Sequence, residues 1–443
     1  MLKHRTLALL LAGSLALALG TTIVAADSGT QAPVSPVPVQ TEAAAESTKV
    51  ETPVEVLPDE AGSLSFTNLE SRMRENNLNL LMLQESINAL KVLDYEEIEE
   101  ELRDGLNQIA DQQWQMNSMG TGSSDPVTGM IGSMVGSMIG PMMSSSLQGS
   151  YDSLREQFDA VRDGEMQADN AAIIFQLENT QNQILMGGEA LYIGLLSLDY
   201  TKDSLERQLT ALDRQIRVAE LSYTQGNLSA LALQEAKAGR SALVSGIETV
   251  KMNEATLKMQ LESFVGEPLE GKLLLQAVPQ VTAGEIAAMD PEADFAAAKE
   301  ASYDLFAAQR ALDDAEETFD DATEEYGSTS TDYPYLSAKH QWQAAQYTYQ
   351  AAHQSYELKF KTLYLQTKDC YQVWESAKVA LAAEEAGFAA EELKFAQGRI
   401  SQNAYCDAQD ALAAAREKVA TTGLDLFTSY NNYRWAVDHG ILN

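Results

Sequence analysis

The sequence has few cysteines and few positive charges, and each scarcity excludes a class of protein. Two cysteines, Cys370 and Cys406, in 443 residues are too few for a disulfide-built scaffold. Thirty Lys and Arg stand against 65 Asp and Glu, a net charge of −35. Such a surface repels phosphate backbones and anionic lipid head groups. We therefore expect no nucleic-acid partner.

Signatures of catalytic and cofactor-binding sites are absent as well. The sequence contains no HExxH, CxxC, GxSxG or GxxxxGK[ST] motif. Its four histidines leave little room for a metal centre built from imidazoles. We therefore expect no enzyme activity, no cofactor and no metal site.

The first 62 residues are predicted to be a secretory signal followed by a disordered tether. Residues 1–26 combine a positive start, a short apolar run and the small residues Val24-Ala25-Ala26, which is typical of a cleaved secretory signal. Cleavage removes Lys3 and Arg5, so the mature charge is 28 − 65, or −37. Residues 27–62 hold five of the 11 prolines and predict a disordered tether. The mature protein is then secreted across the cytoplasmic membrane into the cell envelope, either the periplasm and outer membrane or the cell-wall space.

From residue 63 onward the apolar residues recur at helical spacing, and Ala, Leu, Glu, Gln and Lys are abundant. The spacing predicts helix over 68–116, and one continuous helix over 151–224 that its glycines could bend locally. Helices of that length must be buried against one another. We predict an all-α fold of long antiparallel hairpins, of the α-barrel or coiled-coil type.

An internal repeat organises these helices. The segment YTQGNLSALALQEA at 223–236 is matched by FAQGRISQNAYCDA at 395–408, at a constant offset of 172. In each copy a glycine is suited to end one helix, and a serine three residues later is suited to cap the next. The sequence therefore predicts two tandem repeats, at 63–266 and 290–443, joined by a non-helical connector at 267–289. The first repeat carries a Gly- and Met-rich insert at 117–150.

This arrangement resembles the TolC-like outer membrane efflux family. LSFTNLESRMRENNL, from residue 64, looks like the family's opening helix, and the paired turns look like its aromatic-x-x-Gly-x-x-Ser hairpin tips. The resemblance covers about 63–439. It implies a homotrimeric α-barrel whose tips dock a periplasmic adaptor (membrane fusion) protein, which joins an inner-membrane pump. The residues assigned to these tips are Gln225, Gly226, Leu228, Ser229, Gln397, Gly398, Arg399, Ile400 and Ser401.

The sequence departs from the family at the ends opposite the tips. The family inserts two β-strands into each half, and the segment 327–335 is too short for a pair of membrane-spanning strands. In the insert, Met and Gly recur every four residues, a helical period. We therefore expect a fold without the family's membrane β-barrel. The insert is interpreted as a loop, a membrane or assembly contact, or a Cu(I) ligand set, and its repeating residues are Met130, Gly132, Met134, Gly136, Met138 and Gly140.

An acidic run on one predicted helix has two interpretations, a duct lining that favours cations and a solvated outer face. Its candidate duct-lining residues are Asp313, Asp314, Glu317, Asp320, Asp321 and Glu324. The function predicted is an export duct component. The alternative is a non-transporting envelope scaffold that keeps the same helical fold.

Overall fold

The computed structural model describes residues 59–60, 62–119, 148, 151–328 and 331–442. Two short strands are present in these ranges, β1 (Ser63–Leu64) and β2 (Leu274–Leu275). The helices in these ranges are α1 (Phe66–Asn76), α2 (Leu78–Lys91), α3 (Tyr95–Met119), α4 (151–162), α5 (Glu165–Thr224), α6 (Ala230–Val265), α7 (Ala283–Ala288), α8 (Ala293–Ala301), α9 (Tyr303–Tyr326), α10 (Tyr333–Ala396) and α11 (Gln402–His439).

The predicted all-α fold of duplicated long hairpins is confirmed. In the first repeat α5 packs antiparallel on α6, and in the second α10 packs on α11. α5 has 60 residues and α10 has 64, so at 1.5 Å per residue they extend about 90 and 96 Å. α2 lies on the first half of α5, and α9 lies on the first half of α10. Each long helix therefore takes part in two successive hairpins.

Several helix boundaries differ from the sequence prediction. The predicted helix over 151–224 is interrupted at Gly164, where φ is +87°. The helical pattern over 68–116 is broken at Asn77, whose side chain accepts hydrogen bonds from the amides of Asn79 and Leu80 and so starts α2. The connector predicted as non-helical contains α7, which a Thr282–Glu285 capping box initiates.

The hydrophobic core lies at mid-length of the long helices, where both repeats meet. It contains Leu195 of α5, Leu261 of α6, Phe360 of α10 and Leu426 of α11, each at most 1% exposed. β1 and β2 pair in parallel beside this core. The Tyr192 hydroxyl lies 2.9 Å from the Leu64 carbonyl oxygen and 2.6 Å from that of Gln276, so α5 is tied to both strands.

A buried carboxylate orders the chain that leaves α6. Glu262, which is 2% exposed, accepts hydrogen bonds from the backbone amides of Gly271, Lys272 and Leu273 at 2.8–3.1 Å. Burial acts to raise the pKa of Glu262, but these backbone donors outweigh it and hold the pKa below its ordinary value. The connector therefore folds back over the end of α6 and delivers β2 to β1.

Candidate partner-binding site at the hairpin turns

The first hairpin turn joins α5 to α6 through one left-handed residue. Gly226 has φ +79°, and its amide donates to the Tyr223 carbonyl at 2.9 Å. Only glycine takes up this φ without a steric penalty. Three residues on, the Ser229 hydroxyl accepts from the Ala232 amide at 3.1 Å and caps α6.

The second turn, between α10 and α11, repeats this geometry. Gly398 has φ +71°, and its amide donates to the Phe395 carbonyl at 2.8 Å. The Ser401 hydroxyl accepts from the Ala404 amide at 3.2 Å. The predicted turn glycines and serine caps are thus confirmed in both copies, whereas their role in docking stays a prediction.

The turns present polar atoms more than apolar ones. Gln225, Gln397 and Arg399 are exposed, whereas Leu228 and Ile400, the apolar residues assigned to the tips, are half-buried. In the second turn Phe395 stacks on Tyr405 with ring centroids 4.5 Å apart. The turns therefore carry less apolar surface at their apex than the sequence indicated.

Two exposed leucines that the sequence reasoning missed lie just before the turns. Leu221 and Leu393 are each 61% exposed. Each precedes its turn glycine by five residues, so the repeat itself carried the signal. Apolar surface near the tips therefore lies on the flanks of the hairpins.

Both turns lie at the same end of the packed helices, because α5 and α11 pack antiparallel along the halves that lie nearest the turns. Arg207 of α5 forms an ion pair with Glu417 of α11, and Arg214 does so with Asp410. Arg214 precedes Gly226 by 12 residues, and Asp410 follows Gly398 by 12. The two turns therefore extend equally far, about 18 Å, beyond the same ion pair.

Closer to the core, the α5–α11 contact contains a buried acid. One carboxylate oxygen of Glu189 accepts from Asn431 Nδ2 at 2.6 Å and from Trp435 Nε1 at 2.5 Å. Burial raises the pKa of Glu189 above its ordinary value of 4.5, and the two hydrogen bonds only partly oppose this. The ionised form of Glu189 therefore destabilises the folded state.

Because the buried charge is destabilising, the effect of Glu189→Gln on stability should depend on pH. A group with a raised pKa in the folded state contributes stability at low pH that is lost as pH rises through that pKa. The variant keeps an oxygen acceptor but has no charge to bury. Urea unfolding should therefore show its stability, relative to the unmodified chain, increasing as pH rises from 4.5 toward 8. The exposed Glu300→Gln removes the same charge as a control, and an equal pH trend in both variants would contradict the assignment.

An open cavity of about 720 Å³ lies between α5, α10 and α11, below the turns. Its guanidinium groups are paired with carboxylates of its own lining, Arg207 with Glu417 and Arg416 with Glu385. Phe388 of α10 and Leu412 of α11 supply apolar wall. The cavity thus combines an apolar wall with two ion pairs and one further carboxylate, that of Asp203.

The predicted acidic run lies on α9, at the end opposite the turns. Among its six candidates only Asp314 is half-buried, and the other five are exposed. Asp313 accepts a hydrogen bond from Gln309 at 2.7 Å. Exposure fits both a duct lining and a solvated outer face, so the duct role stays a prediction.

Several predicted features fall outside the described residues. These are the signal at 1–26, nearly all of the tether at 27–62, and the Met and Gly residues from Met130 to Gly140. Within the described ranges, no cluster of three or more His, Cys, Asp or Glu side chains is arranged to hold a metal ion. A search of the same ranges found no helix both long and apolar enough to span a membrane.

Comparisons with known proteins find similarity to solved structures but no match in sequence. No protein-family model matches the sequence, and no curated protein matches it. The Campylobacter jejuni CmeC outer membrane channel is 11% identical with a TM-score of 0.46, over 65% of this chain and 68% of that one. CusC is 12% identical with a TM-score of 0.45, over 84% and 95%. Vibrio cholerae VceC is 11% identical with a TM-score of 0.42, over 62% and 76%.

The likeness concerns the fold alone. The helical arrangement that the paired turn motifs predicted, two long hairpins in tandem with turns 172 residues apart, is present in this chain. The class defined by the fold is a duplicated long-hairpin, all-α protein.

Proposed function

We propose that this protein is an extracytoplasmic duct component of an efflux or export assembly. It docks a periplasmic adaptor protein through its two hairpin turns, and the adaptor connects it to an inner-membrane pump. The chain works in the cell envelope as a homotrimer and carries out no chemistry itself. These partners are those that the TolC-like resemblance implies.

The observation that supports this function most is the equivalence of the two turns. A partner that meets both hairpins at once needs two surfaces of the same shape, at the same height and free of other contacts. Gly226 and Gly398 supply the same shape, and the Arg214–Asp410 ion pair holds both turns at the same height. Ordinary loops have no reason to share all three properties.

A duct also gives the acidic face of α9 a role. If that face lines the passage, its exposed carboxylates attract cations and hold back anions. The charges lie at the end opposite the turns, so they act at the distal mouth and leave docking to the neutral and basic side chains Gln225, Gln397 and Arg399.

The test is a double substitution, Gly226→Val with Gly398→Val, in cells whose own copy of the chain has been deleted. Valine is strained at these positive φ values, and no atom lies within 4 Å of the added Cβ at either site. The turns should therefore change shape while the hairpins stay folded. We expect the double variant to lose most efflux of a fluorescent dye while its helical circular dichroism is retained.

Photo-crosslinking identifies the partner directly. A photoreactive residue at Gln225 or Arg399 should link to an adaptor-type protein, and one at Tyr333, which is 82% exposed at the far end, should not. Normal efflux by the double variant would overturn the docking assignment. Normal efflux after deletion of the whole chain, with a weakened envelope, would instead favour the scaffold alternative.

A further inference from the structure

The proposed function makes no use of the open cavity between α5, α10 and α11. Its volume of about 720 Å³ falls within the range of about 300–1,000 Å³ that is usual for small-molecule sites. Arg207 in its wall precedes Gly226 by 19 residues, which is about 28 Å of helix. The cavity is therefore a feature separate from the hairpin turns.

The charged side chains of the lining leave one negative charge uncompensated. The Arg207 guanidinium pairs with Glu417. That of Arg416 pairs with Glu385. The third carboxylate is that of Asp203, which is exposed, so two positive charges stand against three negative ones, a net charge of −1. In the part of the chain that the structure describes, no cationic side chain forms an ion pair with Asp203.

Two aromatic rings lie in the same cavity as this carboxylate. Tyr200 precedes Asp203 by three residues, so the two side chains share one face of α5. Phe388 of α10 lies in the wall, with its ring centroid 5.8 Å from that of Tyr405. Among the described residues, no Lys or Arg side chain lies over the Tyr200 or Phe388 ring. Both rings are therefore available to attract a cation.

Small side chains on α11 leave the space open. Ala413 and Ala420 lie one heptad apart on α11, and both line the cavity. Leu412, which is 7% exposed, adds apolar wall beside them. A ligand that fits this space therefore has an apolar body as well as a positive charge.

The internal repeat shows that this set of side chains is not a by-product of long hairpins. The turn glycines and serines recur at the offset of 172, but the cavity residues do not. Tyr200 corresponds to Gln372, so its ring is absent from the second copy. Asp203 corresponds to Glu375, which pairs with Lys378. An unpaired carboxylate beside an aromatic ring is therefore particular to the first repeat.

We propose that this cavity binds a small organic monocation with an aromatic body, of the aryl amine or aryl ammonium class. The cationic nitrogen lies beside the Asp203 carboxylate and over the Tyr200 ring. The aromatic body lies along Phe388, Leu412 and the two alanines. An anion of the same size is rejected, because both guanidinium groups are already paired. The binding depends neither on docking nor on transport.

Direct titration with auramine O tests the site in the purified chain 27–443. This dye is a monovalent aromatic cation whose fluorescence rises when its rotation is restricted. We expect saturable binding of one dye per chain, and no displacement by the anion 1-anilinonaphthalene-8-sulfonate. Asp203→Asn should raise the dissociation constant about fivefold, the upper range for an exposed ion pair. If the dye shows no saturable binding, the proposal is wrong.

The large negative charge of the chain requires a control, because any acidic surface attracts cations. Asp104→Asn on α3 removes the same charge from an exposed position outside the cavity. At about 0.15 M salt, where distant charges are screened, this variant should bind the dye like the unmodified chain. Equal weakening by both substitutions would mean that the dye follows the overall charge, and the assignment of the site would fail.

A second pair of variants tests the cavity without changing its charges. Ala420→Leu places a larger apolar side chain in the open space and should raise the dissociation constant several-fold. Ala414→Leu makes the same change at an exposed position of α11 that does not line the cavity, and it should have no effect. Helical circular dichroism should be retained in both variants. If Ala420→Leu binds the dye as tightly as Ala414→Leu, the dye lies elsewhere and the proposal is overturned.

Discussion

Replacing Phe360 by alanine should lower the free energy of unfolding by about 3–5 kcal/mol, the usual loss for a fully buried aromatic side chain. Phe360 is 0% exposed. Its ring centroid lies 5.4 Å from that of Phe295 in α8 and 5.5 Å from that of Tyr433 in α11. The ring thus joins three helices at mid-length, where both repeats meet, and its loss leaves a cavity that rigid helices cannot close.

The matched control is Leu358→Ala, two residues away on the same helix. Leu358 is 69% exposed, so the loss should stay within about 0.5 kcal/mol. Both variants are compared by urea unfolding at equal protein concentration, because association with other copies adds to apparent stability. Equal shifts for the two variants would mean that α10 does not bury this face.

The hairpin turns could be predicted from sequence because their determinants are local. Gly226 and Ser229 act on backbone groups within three residues of themselves, and the same spacing at Gly398 and Ser401 removed the ambiguity of a single copy. That the helices are long followed in the same way from periodicity over many turns.

Helix interruptions were missed although their signals are also local. Apolar periodicity continues across Asn77, so the pattern hides the place where the Asn77 side chain starts a new helix. Thr282 and Glu285 have the spacing of a capping box and were read only as part of a connector. Periodicity alone cannot report a break that keeps the same face buried.

The contacts that position the turns could not be predicted, because they join residues far apart in sequence. The Arg214–Asp410 and Arg207–Glu417 pairs connect different repeats, and no local pattern marks them. The exposure of individual side chains could not be predicted either, because it also depends on contacts between residues far apart in sequence. Leu228 and Leu393 look alike in sequence, yet only the fold leaves Leu393 exposed.

Gly440→Ala should destabilise the chain by about 2–5 kcal/mol, the sum of two costs. Gly440 ends α11 with φ +67°, a conformation that costs a side-chain-bearing residue roughly 1–2 kcal/mol. A Cβ there would lie 2.3 Å from the Ser302 backbone nitrogen and 2.4 Å from its Cα. Such overpacking costs about 1–3 kcal/mol more.

The atoms that a Cβ at Gly440 would displace are needed for the packing of α8, α9 and α11. Ser302 is 1% exposed and caps α9, and the Gly440 carbonyl oxygen lies 3.1 Å from the buried Tyr356 hydroxyl. The α8–α9 junction therefore cannot move away without breaking the cap, and α11 cannot move without losing Tyr356. The clash has no flexible side chain to absorb it.

Gly398→Ala separates the two costs. Gly398 has φ +71°, almost the same as Gly440, but nothing lies within 4 Å of its added Cβ. Its substitution should cost only the backbone part, roughly 1–2 kcal/mol. Urea unfolding of the two variants should therefore differ by about 1–3 kcal/mol, the overpacking at Ser302 alone. Identical losses would show that the end of α11 is not packed on the α8–α9 junction, because the left-handed backbone would then account for both.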